Sequence, residues 1–255
     1  ALFMGTGSGK TYTSLFKVMQ NGTKNLLVIC PARVVTQWEA SIRELLPTIN
    51  IIEFPKRSSA KLKDETLSIV KPKHIAVVVS LDTVSRLTNL RGLIDDTWTI
   101  IVDESHRIKE SGTKRSPVKV SMAVLALADK TPYKAILTAT PTQKEHGGYI
   151  DYYNQLRFLG YLKMSLRAFE ERYCKIQKLQ IPGTPYPIRK IVGYKNTAEL
   201  DALLSVVARR YIPKFVDDEP RHIVEYFDKP KTYDTLSRER FYEELSLRSE
   251  ERRVG

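Results

Sequence analysis

The chain has 255 residues, 42% of them hydrophobic, with 41 Lys+Arg against 29 Asp+Glu and a net charge of +12. That length holds one full α/β domain with an accessory segment and excludes two large domains. The basic excess points to polyanionic partners, while two isolated cysteines, Cys30 and Cys174, exclude a disulfide framework and a zinc pattern and suit a reducing compartment.

Residues 1–4 are apolar and read as a strand. They feed "MGTGSGKT", a phosphate cradle followed by a helix. Gly5, Thr6, Gly7, Ser8 and Gly9 form the loop; Gly7 and Gly9 let backbone N–H groups turn inward without a Cβ clash. The helix that starts there points its positive end at the phosphates. Lys10 neutralises the β and γ oxygens, and the Thr11 hydroxyl can ligate Mg²⁺. The full G-x-x-x-x-G-K-[ST] pattern would put glycine at position 4, where this chain has Met4.

Residues 26–30 read as the next strand. Val34, Trp38, Ile42 and Leu45 then recur at helical spacing until Pro47, and Trp38 is assigned to the core. Residues 75–79 and 99–102 are strands rich in Val and Ile, as expected of strands covered on both faces. The second runs into "IIVDESHRIKE" and delivers Asp103 and Glu104 to the sheet edge where open α/β folds bind ligands. Adjacent carboxylates there need a cation between them and the phosphates. Asp103 would hold Mg²⁺ and Glu104 would orient or deprotonate the attacking water. The cations that follow, Arg107, Lys109, Lys114, Arg115 and Lys119, oppose only Glu110 and suit a second polyanion. Residues 118–128 are apolar nearly all round, predicting a well-buried helix. Residues 134–137 form a last strand, ending in "ILTATP". Thr138 and Thr140 offer hydroxyls near Asp103, able to sense the γ-phosphate.

After residue 148 the pattern changes. Residues 148–158 and 165–173 read as helices, and "LQIPGTPYPIRK" reads as a loop. A helix is expected over 197–209, capped by Asn196 with Glu199 as in a capping box. Residues 163–195 carry eight basic and two acidic side chains. The expected layout is an ATP-binding lobe over 1–147, a helical accessory segment over 148–215 and a linker over 216–255.

The order of motifs is similar to the first motor lobe of superfamily-two helicases, and more closely to the Swi/Snf-type DNA translocases, including bacterial and phage members. The stretches are "GTGSGKT", "ICPARVVTQWEASIRELLP", "DESH", "LTATP" and "YKNTAELDALLSVVARRYIPKF". Ser105 and Ala139 stand where that family commonly has glycine, which leaves open a related strand-separating helicase or a restriction-system motor.

The resemblance implies a RecA-like parallel sheet with helices on both faces and DNA-dependent ATP hydrolysis with ATP and Mg²⁺. It assigns Lys10, Asp103, Glu104 and His106 to catalysis, with His106 bridging the ATP site to the threonine motif. Thr11 and Asp103 fall to the metal, and Thr138 and Thr140 to coupling nucleotide state to DNA grip. Pro31 and Arg33, with Ser80 and Leu81, match segments lying along the DNA backbone, duplex and read without regard to sequence. The transition-state arginines would come from a second motor lobe, so the 255-residue chain is expected to be truncated at both ends and to hydrolyse ATP poorly alone. The terminal "RSEERRVG" is given no role. No membrane partner is expected; the compartment would be the cytoplasm of a bacterial or phage-infected cell, or the nucleus of a eukaryote. Two competing classes are a non-catalytic ATP-sensing, DNA-binding module and a small-molecule P-loop kinase. The 92 residues between Lys10 and Asp103 speak against the kinase.

Overall fold

All five predicted strands form, because each is a short, largely apolar run that can be covered on both sides. A computed structural model describes residues 1–55, 58–108, 119–142, 148–180 and 187–211. In chain order its elements are β1 (Leu2–Met4), α1 (Lys10–Asn21), β2 (Asn25–Cys30), α2 (Val35–Leu45), β3 (Asn50–Ile51), α3 (Ala60–Ile69), β4 (Ile75–Ser80), α4 (Leu81–Val84) and α5 (Thr88–Leu93). They continue with β5 (Trp98–Asp103), α6 (Lys119–Ala128), β6 (Tyr133–Thr138), α7 (Tyr152–Phe158), α8 (Leu166–Tyr173), β7 (Cys174–Leu179), β8 (Ile188–Tyr194), α9 (Thr197–Val207) and β9 (Arg209–Tyr211).

Seven strands make one sheet in the order β3-β4-β2-β5-β6-β1-β9, and every pairing is parallel. Parallel pairing demands crossovers, which the intervening helices supply. Successive residues on each strand point to opposite faces, so the sheet feeds two cores. Leu26, Val28, Cys30, Ala76, Val78 and Ile101 pack with Leu15 and Val18 of α1 and Trp38 and Ile42 of α2. Leu27, Ile29, Val77, Val79, Ile100 and Val102 pack into a larger cluster with Leu90, Val124, Leu156, Phe169 and Leu200. The expected α/β sheet with helices on both faces is the observed one.

Several expectations need correction. Helix α6 is not buried all round: Ser121, Val124, Leu127 and Ala128 are buried, whereas Met122 is 54% exposed. The capping box before α9 does not form. Asn196 sits at φ 52 without a side-chain cap bond; its Nδ2 instead donates to the Arg172 carbonyl at 2.8 Å, closing the end of α8. Glu199 is taken by Arg172 and Tyr173. The stretch 179–190, expected to be loop, contributes both its ends to an antiparallel hairpin of β7 and β8. The segment after 148 also returns to the main sheet: β9 lies along β1 as the edge strand. The cations Lys109, Lys114 and Arg115 and the linker over 216–255 lie outside the described residues. Among the described residues no helix is long and apolar enough to cross a membrane.

Candidate nucleotide site

Parallel pairing puts the C-terminal ends of all the main strands at one rim, and the register fixes how they line up. Leu137 of β6 pairs with Leu2 of β1 on one side and with Asp103 of β5 on the other. Two strand spacings, about 10 Å, thus separate the strand entering the glycine loop from the strand delivering the carboxylates.

The loop after β1 turns at Gly7, φ 72, and at Gly9, φ 79, which is also the N-cap of α1. A Cβ at either glycine would meet nothing within 4 Å, so the backbone amides border open space. The first turn of α1 holds no acidic residue to cancel its positive end. Lys10 Nζ donates to the carbonyls of Met4 and Gly5, both at 2.9 Å, and Ser8 Oγ donates to the Gly5 carbonyl at 2.6 Å. The ammonium is thereby held against the start of the loop. This open, acid-free cradle fits a polyphosphate.

Strand β5 is buried for five residues and emerges at Asp103. Both oxygens of that carboxylate are engaged: Trp38 Nε1 donates to Oδ2 at 3.0 Å, and the Glu104 amide donates to Oδ1 at 2.9 Å. An ionised carboxylate keeps further lone pairs on each oxygen, which suits a metal ligand. Its charge also reaches the buried Cys30, whose thiol is pushed up to about 12, by burial first and by Asp103 next.

Glu104 follows at φ 49, a left-handed backbone that a side-chain-bearing residue seldom adopts. The turn aims its carboxylate back along the rim. His106 Nδ1 lies 3.2 Å from Glu104 Oε2 and 3.2 Å from Thr138 Oγ1. The Thr138 hydroxyl donates to Glu104 Oε2 at 3.5 Å and accepts from the Thr140 amide at 3.1 Å. Carboxylate, imidazole, buried hydroxyl and backbone amide thus form one connected set.

Thr6, Pro31, Ala32, Arg33, Glu104, His106, Arg107, Ala139 and Thr140 line one cavity of about 560 Å³ at this rim. The loop, the acidic turn, the threonine turn and two of the four expected DNA residues are thereby brought together. Ser80 is not among them; its hydroxyl pairs with Thr83 at 2.7 Å beside a neighbouring cavity that it shares with Ala32. The Leu81 side chain is fully buried in the larger core, so any role for Leu81 on a DNA backbone is limited to its main chain. Arg107 is exposed and paired with Asp82 at 2.7 Å, which ties the acidic turn to that same strand end.

Two contacts at the site lie beyond what the motifs imply. Trp38 belongs to the core as expected, at 2% exposure, yet its indole N–H also holds Asp103. Gln155 of α7 joins the acidic and threonine turns from beneath through Ser105 and Pro141. A buried indole usually finds a partner for its N–H, which is the sequence signal for Trp38. For Gln155 the signal is a polar pair, Asn154-Gln155, set among apolar helix residues.

A family model for the SNF2-related domain matches residues 2–218. A curated relative from Caenorhabditis elegans, the SWI/SNF-related matrix-associated actin-dependent regulator of chromatin subfamily A-like protein 1 homolog, is 26% identical over 152 residues, covering 58% of this chain and 20% of that protein. Protein CHROMATIN REMODELING 19 of Arabidopsis thaliana is 24% identical over 147 residues, covering 53% and 18%. The chain thus spans about a fifth of the length of these relatives. Of solved structures, the Sulfolobus solfataricus SWI2/SNF2 ATPase core in complex with dsDNA matches with a TM-score of 0.58 at 22% identity, over 84% of this chain and 40% of that one. The Sulfolobus solfataricus SWI2/SNF2 ATPase core domain matches with a TM-score of 0.52 at 23% identity, over 82% and 38%. These likenesses show the RecA-like fold.

Proposed function

The chain belongs to the SNF2-related domain family of helicase-like ATPases, and from that premise we propose that it is the ATP-binding lobe of a DNA-dependent ATPase that translocates on double-stranded DNA. One observation carries the reading. Glu104 is held by His106 and Thr138 at the same rim onto which the glycine loop opens.

The parts divide the work as follows. Backbone amides of Gly5 to Gly9, with Lys10, would bind the phosphate chain. Thr11 and Asp103 would hold Mg²⁺, which when bound with ATP supplies charge neutralisation for phosphoryl transfer. Glu104 would orient the attacking water and take its proton. His106 and the Thr138 hydroxyl fix that carboxylate's direction, and the Thr140 amide ties it to the threonine turn. A change at Glu104 thereby reaches the neighbouring turn without a gap in the hydrogen-bonded chain.

Support for DNA as partner comes from the net charge of +12 and from the duplex in the solved Sulfolobus complex. Arg33 is exposed at the mouth of the cavity, and the exposed lysines of the accessory segment extend the cationic surface. The chain spans 40% of the solved core it resembles. We assign the transition-state arginines and the rest of the DNA track to a second lobe reached through residues 216–255, and expect the 255-residue chain alone to turn over slowly.

The test is Glu104→Gln in the full-length protein. DNA-stimulated turnover should fall by about 10²-fold or more, the size of a lost general base, with ATP binding retained. Unchanged turnover removes Glu104 from this role. Displacement of a triplex-forming strand without separation of the duplex is the expected sign of duplex translocation; strand separation would favour a true helicase.

A further inference from the structure

Helix α7 carries two adjacent polar side chains, Asn154 and Gln155, each 1% exposed, among residues that fill the larger core. An amide buried this way is unfavourable unless its donors and acceptor find partners. Those of Gln155 do. The Ser105 hydroxyl donates to Oε1 at 3.0 Å. Nε2 donates to the Pro141 carbonyl at 2.9 Å and to the Asp151 carbonyl at 3.0 Å. A hydroxyl on one side and two carbonyls on the other fix which way the amide faces. Asn154 Nδ2 donates to the Ile108 carbonyl at 2.9 Å and so holds the far end of the same acidic turn.

The positions of these partners give the contacts their meaning. Ser105 directly follows Glu104, the residue in left-handed backbone. Pro141 directly follows Thr140, whose amide binds Thr138. One buried amide therefore spans the two turns whose side chains meet above it at Glu104, His106 and Thr138. Ser105 is itself fully buried, so its hydroxyl has no water to turn to when the amide is removed.

We propose that Gln155 is a positioning residue that locks the acidic turn to the threonine turn, so that both move as one body with α7. The inference rests on reading the site as an ATPase centre. Glu104 touches the reacting groups in that reading and Thr138 fixes its carboxylate; Gln155 acts through both, by holding the backbone on which they stand. A helix otherwise built for packing carries an amide here because an apolar side chain of the same size could fill the space but not join the turns.

Gln155→Met in the full-length protein keeps length and volume and removes the bonds. The expected result, per folded molecule, is a kcat lowered about 10-fold or more, as for a reacting group misplaced by a fraction of an ångström, with the KM for ATP within about threefold. Ser105→Ala removes the bond from its other end and should lower kcat in the same direction. The double variant should fall no further than Gln155→Met alone, because the two side chains act as a unit. A kcat unchanged in Gln155→Met, or one that falls additively in the double variant, overturns the proposal. Should Gln155→Met fail to fold by circular dichroism, Ser105→Ala decides through the same kcat. A wild-type protein that hydrolyses no ATP would instead remove the ATPase reading, and the inference with it.

Discussion

The two faces of the sheet hold the acidic turn by different means. On the smaller face, α2 reaches Asp103 with one indole N–H from an otherwise apolar packing surface. On the larger face, α7 reaches Ser105 through an amide that also binds the threonine turn. Asp103 is thus fixed from the side that carries α1, and Ser105 from the side that carries the accessory segment. Glu104 sits between them in strained backbone. The difference teaches a division of labour. One face holds the Asp103 carboxylate, and the other bonds the acidic turn and the threonine turn to a single helix.

The sharpest way to break this comparison is on the smaller face. Trp38→Phe keeps most of the ring in the core and removes the N–H that binds Asp103. A hydrogen bond to a charged group contributes about 1.5–3 kcal/mol, so kcat/KM should fall about 10-fold or more. The Mg²⁺ concentration for half-maximal nucleotide binding should rise, a change that loss of packing alone would not cause. Gln155→Met should leave that Mg²⁺ midpoint alone. Equal Mg²⁺ shifts in the two variants would mean that the faces do not differ as described.

A smaller effect is expected beyond the larger face, where the accessory hairpin turns cations outward. Lys175, Lys178 and Lys190 are exposed and make no ion pair among the described residues, whereas Arg167, Arg172 and Arg189 are paired with Glu171, Glu199 and Glu170. Lys178 lies opposite Arg189 across the ladder, so the exposed lysines stand on one cationic hairpin. Changing the three lysines to Ser should lower the slope of log affinity against log salt for duplex DNA by up to about 0.9 per lost contact. ATP affinity should not change. An unaltered salt slope would assign these lysines to a solvated surface.

Sequence alone carried the sheet and the rim well, for a physical reason. Strands such as Ile75–Ser80 are buried at every position, so an uninterrupted apolar run has few other fates. The glycine loop follows β1, Asp103 ends β5 and Thr138 ends β6, and parallel pairing then leaves one rim for all of them. What stayed hidden depends on partners far away in the chain. Asn196 and Glu199 have the local signature of a cap, but Arg172 claims both, one through its carbonyl and the other through its guanidinium. The prolines of its connection hide the hairpin, although burial alternates from Cys174 to Gln177 as in a half-covered strand. Trp38 shows why burial alone cannot reveal a polar duty. Trp98 is equally enclosed, yet its Nε1 has no partner among the described residues.

The gentlest probe of the two faces uses the cysteines, one on each side. Cys30 ends β2 on the smaller face, and Cys174 begins the hairpin beyond the larger one. Burial pushes both thiols up, Cys30 to about 12 with the Asp103 charge adding to it, and Cys174 to about 11 with Glu170 adding to it. The folded state therefore holds each proton more tightly than the unfolded chain does. Their contribution to stability is complete below the ordinary thiol value of 9.0 and is lost as pH rises through about 11 and then about 12. At pH 8 a thiol reagent should label neither quickly, because the thiolate is the reactive form. As pH rises, Cys174 should react before Cys30. Asp103→Asn should bring Cys30 down toward Cys174, narrowing that interval, because it removes the one neighbouring charge that sits at the nucleotide rim. Labelling of Cys30 first, at any pH in this window, would mean that burial and the Asp103 charge do not hold its proton as described.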